Sequence, residues 1–160
     1  GYAIKDPVNL WTCPVEELMD LEIPRVTTFA LWSPLAIQRE IWEQGGIDAA
    51  RQAVMERAEG PKTALLARHR DKPAGAAFVA IHDGVAMVHA VEVVPFQRRK
   101  GMAQWFLRAA AFWGRDNGAH TLSVVCTVAN TPANALYSGM GMSKVGHYHY
   151  RHMPQEESRT

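Results

Sequence analysis

The sequence is poor in cysteine, with only Cys13 and Cys126 among 160 residues, too few for a disulfide framework. Cys126 lies in an apolar run, where a small buried thiol is the ordinary role. A reducing, cytoplasmic setting is therefore expected. Long apolar runs are also missing. No stretch nears the roughly 20 residues that a bilayer-spanning helix needs, and the first residues lack the basic-then-apolar order of a signal peptide. Neither a membrane span nor export is expected. Charge of one sign is missing too: 17 Lys and Arg stand against 16 Asp and Glu, a formal net charge of +1. No global field then draws the chain toward nucleic acid or an anionic membrane, and any anion site must be local. There is no internal repeat and no low-complexity segment. The start at Gly1 rather than Met leaves room for upstream sequence.

What is present is apolar residues, 48% of the chain, enough for one good core and short for two. Residues 1–24 mix Pro7, Pro14 and Pro24 with an acidic stretch from Glu16 to Glu22 and show no sustained period. They read as a leader or the remnant of a preceding module. Residues 25–32, rich in Val, Thr and Phe, suit a strand, after which Ser33 and Pro34 supply an N-cap and a first helical residue. Ile37 and Ile41 share a face of that helix, Gly45-Gly46 ends it, and Asp48 opens a second helix reaching Ala58. Turn sequences Asp71-Lys72-Pro73 and Asp83-Gly84 then separate three antiparallel strands over 63–68, 74–81 and 85–94. Met102, Trp105, Phe106, Ala109 and Trp113 recur at helical spacing and predict a long helix from about 99 to 117. A β-branched run over 120–128, a short helix opened by Thr131-Pro132, and a last strand over 144–152 complete the order. Residues 25–152 thus form the principal domain, an α+β arrangement around one central sheet, and 153–160 a polar tail.

Two stretches carry chemistry. The first runs from a strand end into a helix start, Pro95-Phe96-Gln97-Arg98-Arg99-Lys100-Gly101-Met102-Ala103. Pro95 stops strand pairing because it has no N–H. The first amides of the next helix lack intrahelical acceptors, and their dipole favours an anion in front of them. Gly101 and Ala103 let a ligand approach the backbone, while Arg98, Arg99 and Lys100 put three cations where acidic residues are normally preferred. The second stretch begins at Asn130 and carries Tyr137 seven residues later, close to two helical turns, so both can lie along one side. Taken singly, Asn130 can equally cap the helix and Tyr137 be a core aromatic.

Together the two stretches resemble the acyl-CoA signature of the GNAT superfamily. Arg98-Arg99-Lys100-Gly101-Met102-Ala103 matches its Q/R-x-x-G-x-G/A loop. Asn130, Ala133, Leu136, Tyr137, Gly141 and Met142 fall on its N-x-x-A-x-x-L-Y-x-x-x-G-F pattern. The resemblance implies a mostly antiparallel mixed sheet, flanked by helices and splayed where two neighbouring strands diverge, with acetyl-CoA as co-substrate in the gap. It implies that backbone amides from Arg99 through Gly101, Met102 and Ala103 to Gln104 hold the pyrophosphate. Main chain at Val91, Glu92 and Val93 would pair with pantetheine, Asn130 and Ala133 would meet the same arm, and Tyr137 would sit by the sulfur. The sequence departs from the pattern at Met142, which replaces the closing aromatic. It departs again at Val125, where some members carry a carboxylate base five residues before the Asn.

The implied activity is transfer of an acetyl group from acetyl-CoA to a primary amine by direct attack in a ternary complex. Tyr137 is the candidate acid, and His89 and Glu92 are the candidate bases. Simple alternation puts those two on opposite faces, so a bulge between them would decide which one reaches the acceptor. The rival reading is a GNAT-fold module that binds acyl-CoA without turnover, favoured by the missing carboxylate at 125. The acceptor is a small-molecule or peptide amine, and a homodimer or an upstream domain would be compatible with the chain. His147, His149 and His152 in the last strand lack metal-ligand spacing. Arg68, His69, Arg70 and Lys72 read as a solvated hairpin tip.

Overall fold

The computed structural model describes residues 1–25, 27–95 and 101–154. Seven strands form one sheet in the order β2-β3-β4-β5-β6-β1-β7, with β1 at Ala3–Pro14, β2 at Thr28–Leu31, β3 at Lys62–His69, β4 at Lys72–His82, β5 at Val85–Val93, β6 at Thr121–Thr127 and β7 at Ser143–His152. Every neighbouring pair is antiparallel except β5 and β6. The helices are α1 at Ala36–Gln44, α2 at Ala49–Arg57, α3 at Met102–Asp116 and α4 at Thr131–Gly139. This is the α+β architecture with a mostly antiparallel mixed sheet that the sequence implied.

The sheet separates two apolar layers. Along β3, Leu65 and Ala67 point to one face and Ala64 to the other, the alternation a strand imposes. The first face is covered by α3 through Phe106, Leu107 and Ala110, and by Tyr137 of α4. The second is covered by α1 and α2 through Ile41, Trp42 and Met55, packed on Ala76 and Phe78. Among the described residues no helix is long and apolar enough to cross a membrane.

Two helix starts show what spacing does and does not reveal. At α2 the Asp48 side chain accepts from the Arg51 amide at 3.0 Å, the N-cap expected of it. At α1 the N-cap is Leu35 rather than Ser33, because Gln38, fully buried, turns back and accepts from the Leu35 amide at 2.7 Å. A side chain three residues into the helix thus does what a capping hydroxyl would have done.

The segment read from sequence as a leader or the remnant of a preceding module contributes a strand to the central sheet. Ala3–Pro14 is hydrogen-bonded between β6 and β7, with Leu10 opposite Val125 on one side and Gly146 on the other. A short 3-10 turn at Val15–Leu18 follows, and both of its end residues are buried in the main core. Further on, Asp20 accepts from the Arg108 guanidinium of α3 at 3.1 Å, which holds the Asp20 carboxyl below its ordinary range. The sequence hid this strand because its register shifts between Lys5 and Val8 and again between Leu10 and Trp11, which breaks the period of two. Pro7 falls at the first of these irregularities, where a missing N–H is tolerated.

A leader residue could be truncated without consequence, whereas a core residue could not. Leu18→Ala is expected to destabilise the fold by about 2–5 kcal/mol, measured by urea denaturation. An unchanged midpoint would place the segment outside the core.

Candidate active site

The site begins where two strands part. The parallel ladder between β5 and β6 runs from Val85 opposite Thr121 to Val88 opposite Val124 and stops there. On its other side β5 stays paired to β4, but with an irregularity: His89 lies opposite Phe78 and Glu92 opposite Ala76, so three steps on β5 match two on β4. The extra residue makes a bulge at which Ala90 takes φ +54°. A left-handed backbone costs an alanine about 1–2 kcal/mol, so the bulge needs outside support. Trp42 of α1, fully buried, provides it by donating its indole N–H to the Ala90 carbonyl at 2.9 Å.

The bulge does not choose between the two candidate bases but brings both to one face, where simple alternation would separate them. Val88 and Val91 pack into the α3 layer, whereas Ala90 packs into the α1/α2 layer. His89 and Glu92, opposite Phe78 and Ala76, therefore both stand on the α1/α2 face. The His89 ring lies 6.3 Å from that of Phe78. Glu92 lies against the end of α1, where Gly45 makes room for it: a Cβ there would overlap the Glu92 side chain.

Beyond Val88 and Val124 the strands enclose a cleft of about 260 Å³, lined among others by His89, Val91, Val125, Cys126, Asn130 and Tyr137. Val125, at the position where a base was sought, offers only an apolar wall. Asn130 and Tyr137 reach the cleft from opposite ends of α4, and the Asn130 side-chain oxygen also caps that helix by accepting from the Ala133 amide at 3.2 Å. Tyr137 packs its ring against the edge of Trp11, 6.4 Å away. Burial, reinforced by Cys126, pushes its phenol up to about 12, so it keeps its proton through neutral and alkaline pH. Burial acts on His89 in the other direction, lowering the imidazole from its ordinary value and favouring its neutral form.

Asn134, which spacing did not single out, ties the far wall together. Its side-chain oxygen accepts from Asn9 at 3.0 Å, from the Trp11 indole at 3.0 Å and from the Cys126 thiol at 3.2 Å. Its amide nitrogen donates to the carbonyls of Thr127 at 3.0 Å and Asn130 at 2.9 Å. One side chain thus joins α4 to β6 and β1 at the point where β6 has lost β5 as a partner.

The helix start that closes the site is α3. Arg98, Arg99 and Lys100 lie outside the described residues. Gly101 is the N-cap, at φ +76°, a left-handed conformation that favours glycine. Among the described residues no side chain caps the helix, and its first turn holds no acidic residue. The amides of Met102, Ala103 and Gln104 lack intrahelical acceptors and face the direction from which an anion would come. Met102 is buried in the core, and Gln104 accepts from Arg108 at 2.7 Å, which fixes its side chain beside Gly101. The start of α3, which no described side chain caps, and the cleft between β5 and β6 are the places that could hold an acyl-CoA.

A model of the acetyltransferase (GNAT) family matches residues 22–142. Solved structures share the fold. A GCN5-related N-acetyltransferase from Kribbella flavida superposes with a TM-score of 0.66 at 22% identity, over 99% of this chain and 62% of that one. A conserved protein of unknown function from Staphylococcus epidermidis gives 0.70 at 15% identity, over 92% and 60%. A tandem GNAT protein from the clavulanic acid biosynthesis pathway gives 0.70 at 14%, over 94% and 55%. The chain thus spans somewhat more than half the length of these proteins. A comparison with curated proteins finds no match.

The two asparagines of α4 should separate by stability. Asn130→Ala removes a cap and is expected to cost about 0.5–2 kcal/mol. Asn134→Ala strands several buried partners at once, each worth about 1–3 kcal/mol, and should be the more damaging in a urea titration of both variants. Equal losses would remove Asn134 from the centre of the wall.

Proposed function

Because the chain belongs to the GNAT acetyltransferase family, we propose that it transfers an acetyl group from acetyl-CoA to a primary amine by direct attack in a ternary complex. The observation that carries this reading is the pair of groups on one cleft whose burial drives their pKa values apart, His89 downward and Tyr137 upward. Such a pair supplies a base and an acid at the same pH. Acetyl-CoA, when bound, supplies an acetyl thioester open to attack by an amine.

The chain's own residues would divide the remaining work. The amides of Gly101, Met102, Ala103 and Gln104, with the cations of Arg98, Arg99 and Lys100, hold the phosphates at the start of α3. The main chain at Val91, Glu92 and Val93 orients the pantetheine arm as an added strand would, with Asn130 and Ala133 on the facing wall. His89, neutral, takes the proton from the incoming ammonium at its imidazole nitrogen, and Glu92 adds a carboxylate on the same face. Tyr137 gives its phenolic proton to the departing thiolate. The acceptor is a small-molecule or peptide amine approaching from the α1/α2 side, where both candidate bases stand. A panel of amines assayed by release of free CoA tests the reading. Acetyl-CoA binding without CoA release from any amine would support a non-catalytic module instead.

Saturation with acetyl-CoA at about 100 times its dissociation constant should stabilise the fold by about 2.7 kcal/mol, seen as a raised melting temperature. Gly101→Val should abolish most of that shift, because its side chain would press on the Gln104 side chain at the helix start and sits at a left-handed position. A parental shift in that variant would remove the phosphates from this helix start.

Tyr137→Phe keeps the ring and removes the proton, so kcat should fall by roughly 10²-fold or more while acetyl-CoA affinity holds in calorimetry. In the parent enzyme the rate should rise with pH through the lowered His89 value, below 6.5, and level off once the imidazole is neutral. The acid side would begin to fail only as pH approaches about 12. His89→Gln should erase the acidic limb. A limb unmoved in His89→Gln but lost in Glu92→Gln would transfer the base to Glu92.

A further inference from the structure

We infer that Trp42 is a positioning residue for acetyl transfer: its indole N–H holds the left-handed bulge that turns His89 and Glu92 onto one face of the sheet. The inference rests on the acetyl-transfer reading for its catalytic consequence, but its physical content stands on the geometry of β5.

The extra residue of a bulge is left out of the ladder, so its polar groups need other partners. Ala90 is that residue, with φ +54° where alanine has no preference to be. The donor that meets its carbonyl comes from 48 residues away, the Trp42 indole at 2.9 Å. Within the apolar layer Trp42 clusters with Ile41, Met55, Ala64, Ala76 and Phe78. A phenylalanine would satisfy those contacts, and a buried indole N–H without an acceptor would be costly there. The hydrogen bond to Ala90 is therefore what distinguishes tryptophan at this position. Were the bulge to relax into regular pairing, alternation would return His89 and Glu92 to opposite faces, and one would leave the acceptor side.

Trp42→Phe, which keeps an aromatic ring in the core, is expected to lower kcat by roughly 10-fold or more. Adding Ala90→Gly, which makes the left-handed conformation inexpensive without a donor, should restore most of the lost kcat. A role confined to packing would not be rescued this way. Parental kcat in Trp42→Phe, or a loss that Ala90→Gly leaves in place, would overturn the inference. The Ala90 Cα chemical shift, which reports its φ, should move in Trp42→Phe whether or not any amine is acetylated. An unmoved shift would also overturn the inference, while a protein that turns over no amine at all but shows the shift would sink only the acetyl-transfer reading.

Discussion

Everything at the site depends on two neighbouring strands parting and staying apart. Parallel strands that have begun to pair would ordinarily continue, because each further residue satisfies backbone groups that otherwise need partners. Here β5 and β6 stop after Val88 and Val124, and each is restrained from its own side. On one side β4 and the Trp42 indole hold β5 in a bulged course. On the other, β1 and the Asn134 side chain hold β6. The gap is thus maintained by anchors behind its walls rather than by anything within it, which leaves the interior available to a ligand arm.

The same environment prepares two opposite chemistries. Removal from water disfavours whichever form of a group is charged. For an imidazole that form is the acid, and for a phenol it is the base. Burial therefore favours the neutral form of both His89 and Tyr137, which line one cleft. Val125 is consistent with this arrangement, since a carboxylate there would bring a charge into the wall between them.

What the sequence made legible was local. The helical spacing of Met102 to Trp113, the Asp48 cap, the hairpin turns and the Asn130 to Tyr137 separation all describe residues that are neighbours along the chain, and the structure realises each. What it concealed was long-range. β1 pairs with segments more than a hundred residues away and carries two register shifts, so no window of the sequence shows its period. The Leu35 cap depends on a buried Gln38 that reads as an ordinary helix residue. Asn134 occupies an unspecified position inside a recognisable motif, and its importance lies in partners on β1 that only folding brings near. The bulge could be anticipated as a need, to decide between His89 and Glu92, but Trp42 as its support could not.

The place of β1 also sets a timetable. Within this domain β1 is made well before β6 and β7, the two strands between which it lies. Asn9 meets Asn134 across 125 residues of chain, an interval of roughly 6–25 s at ordinary elongation rates. For most of that interval Val8, Trp11 and Cys13, all destined for burial, lack β6, the strand that pairs with all three. The growing domain must carry an apolar strand that still lacks its partners, which makes the order of synthesis, and any chaperone that shields this strand, part of how the cleft comes to exist.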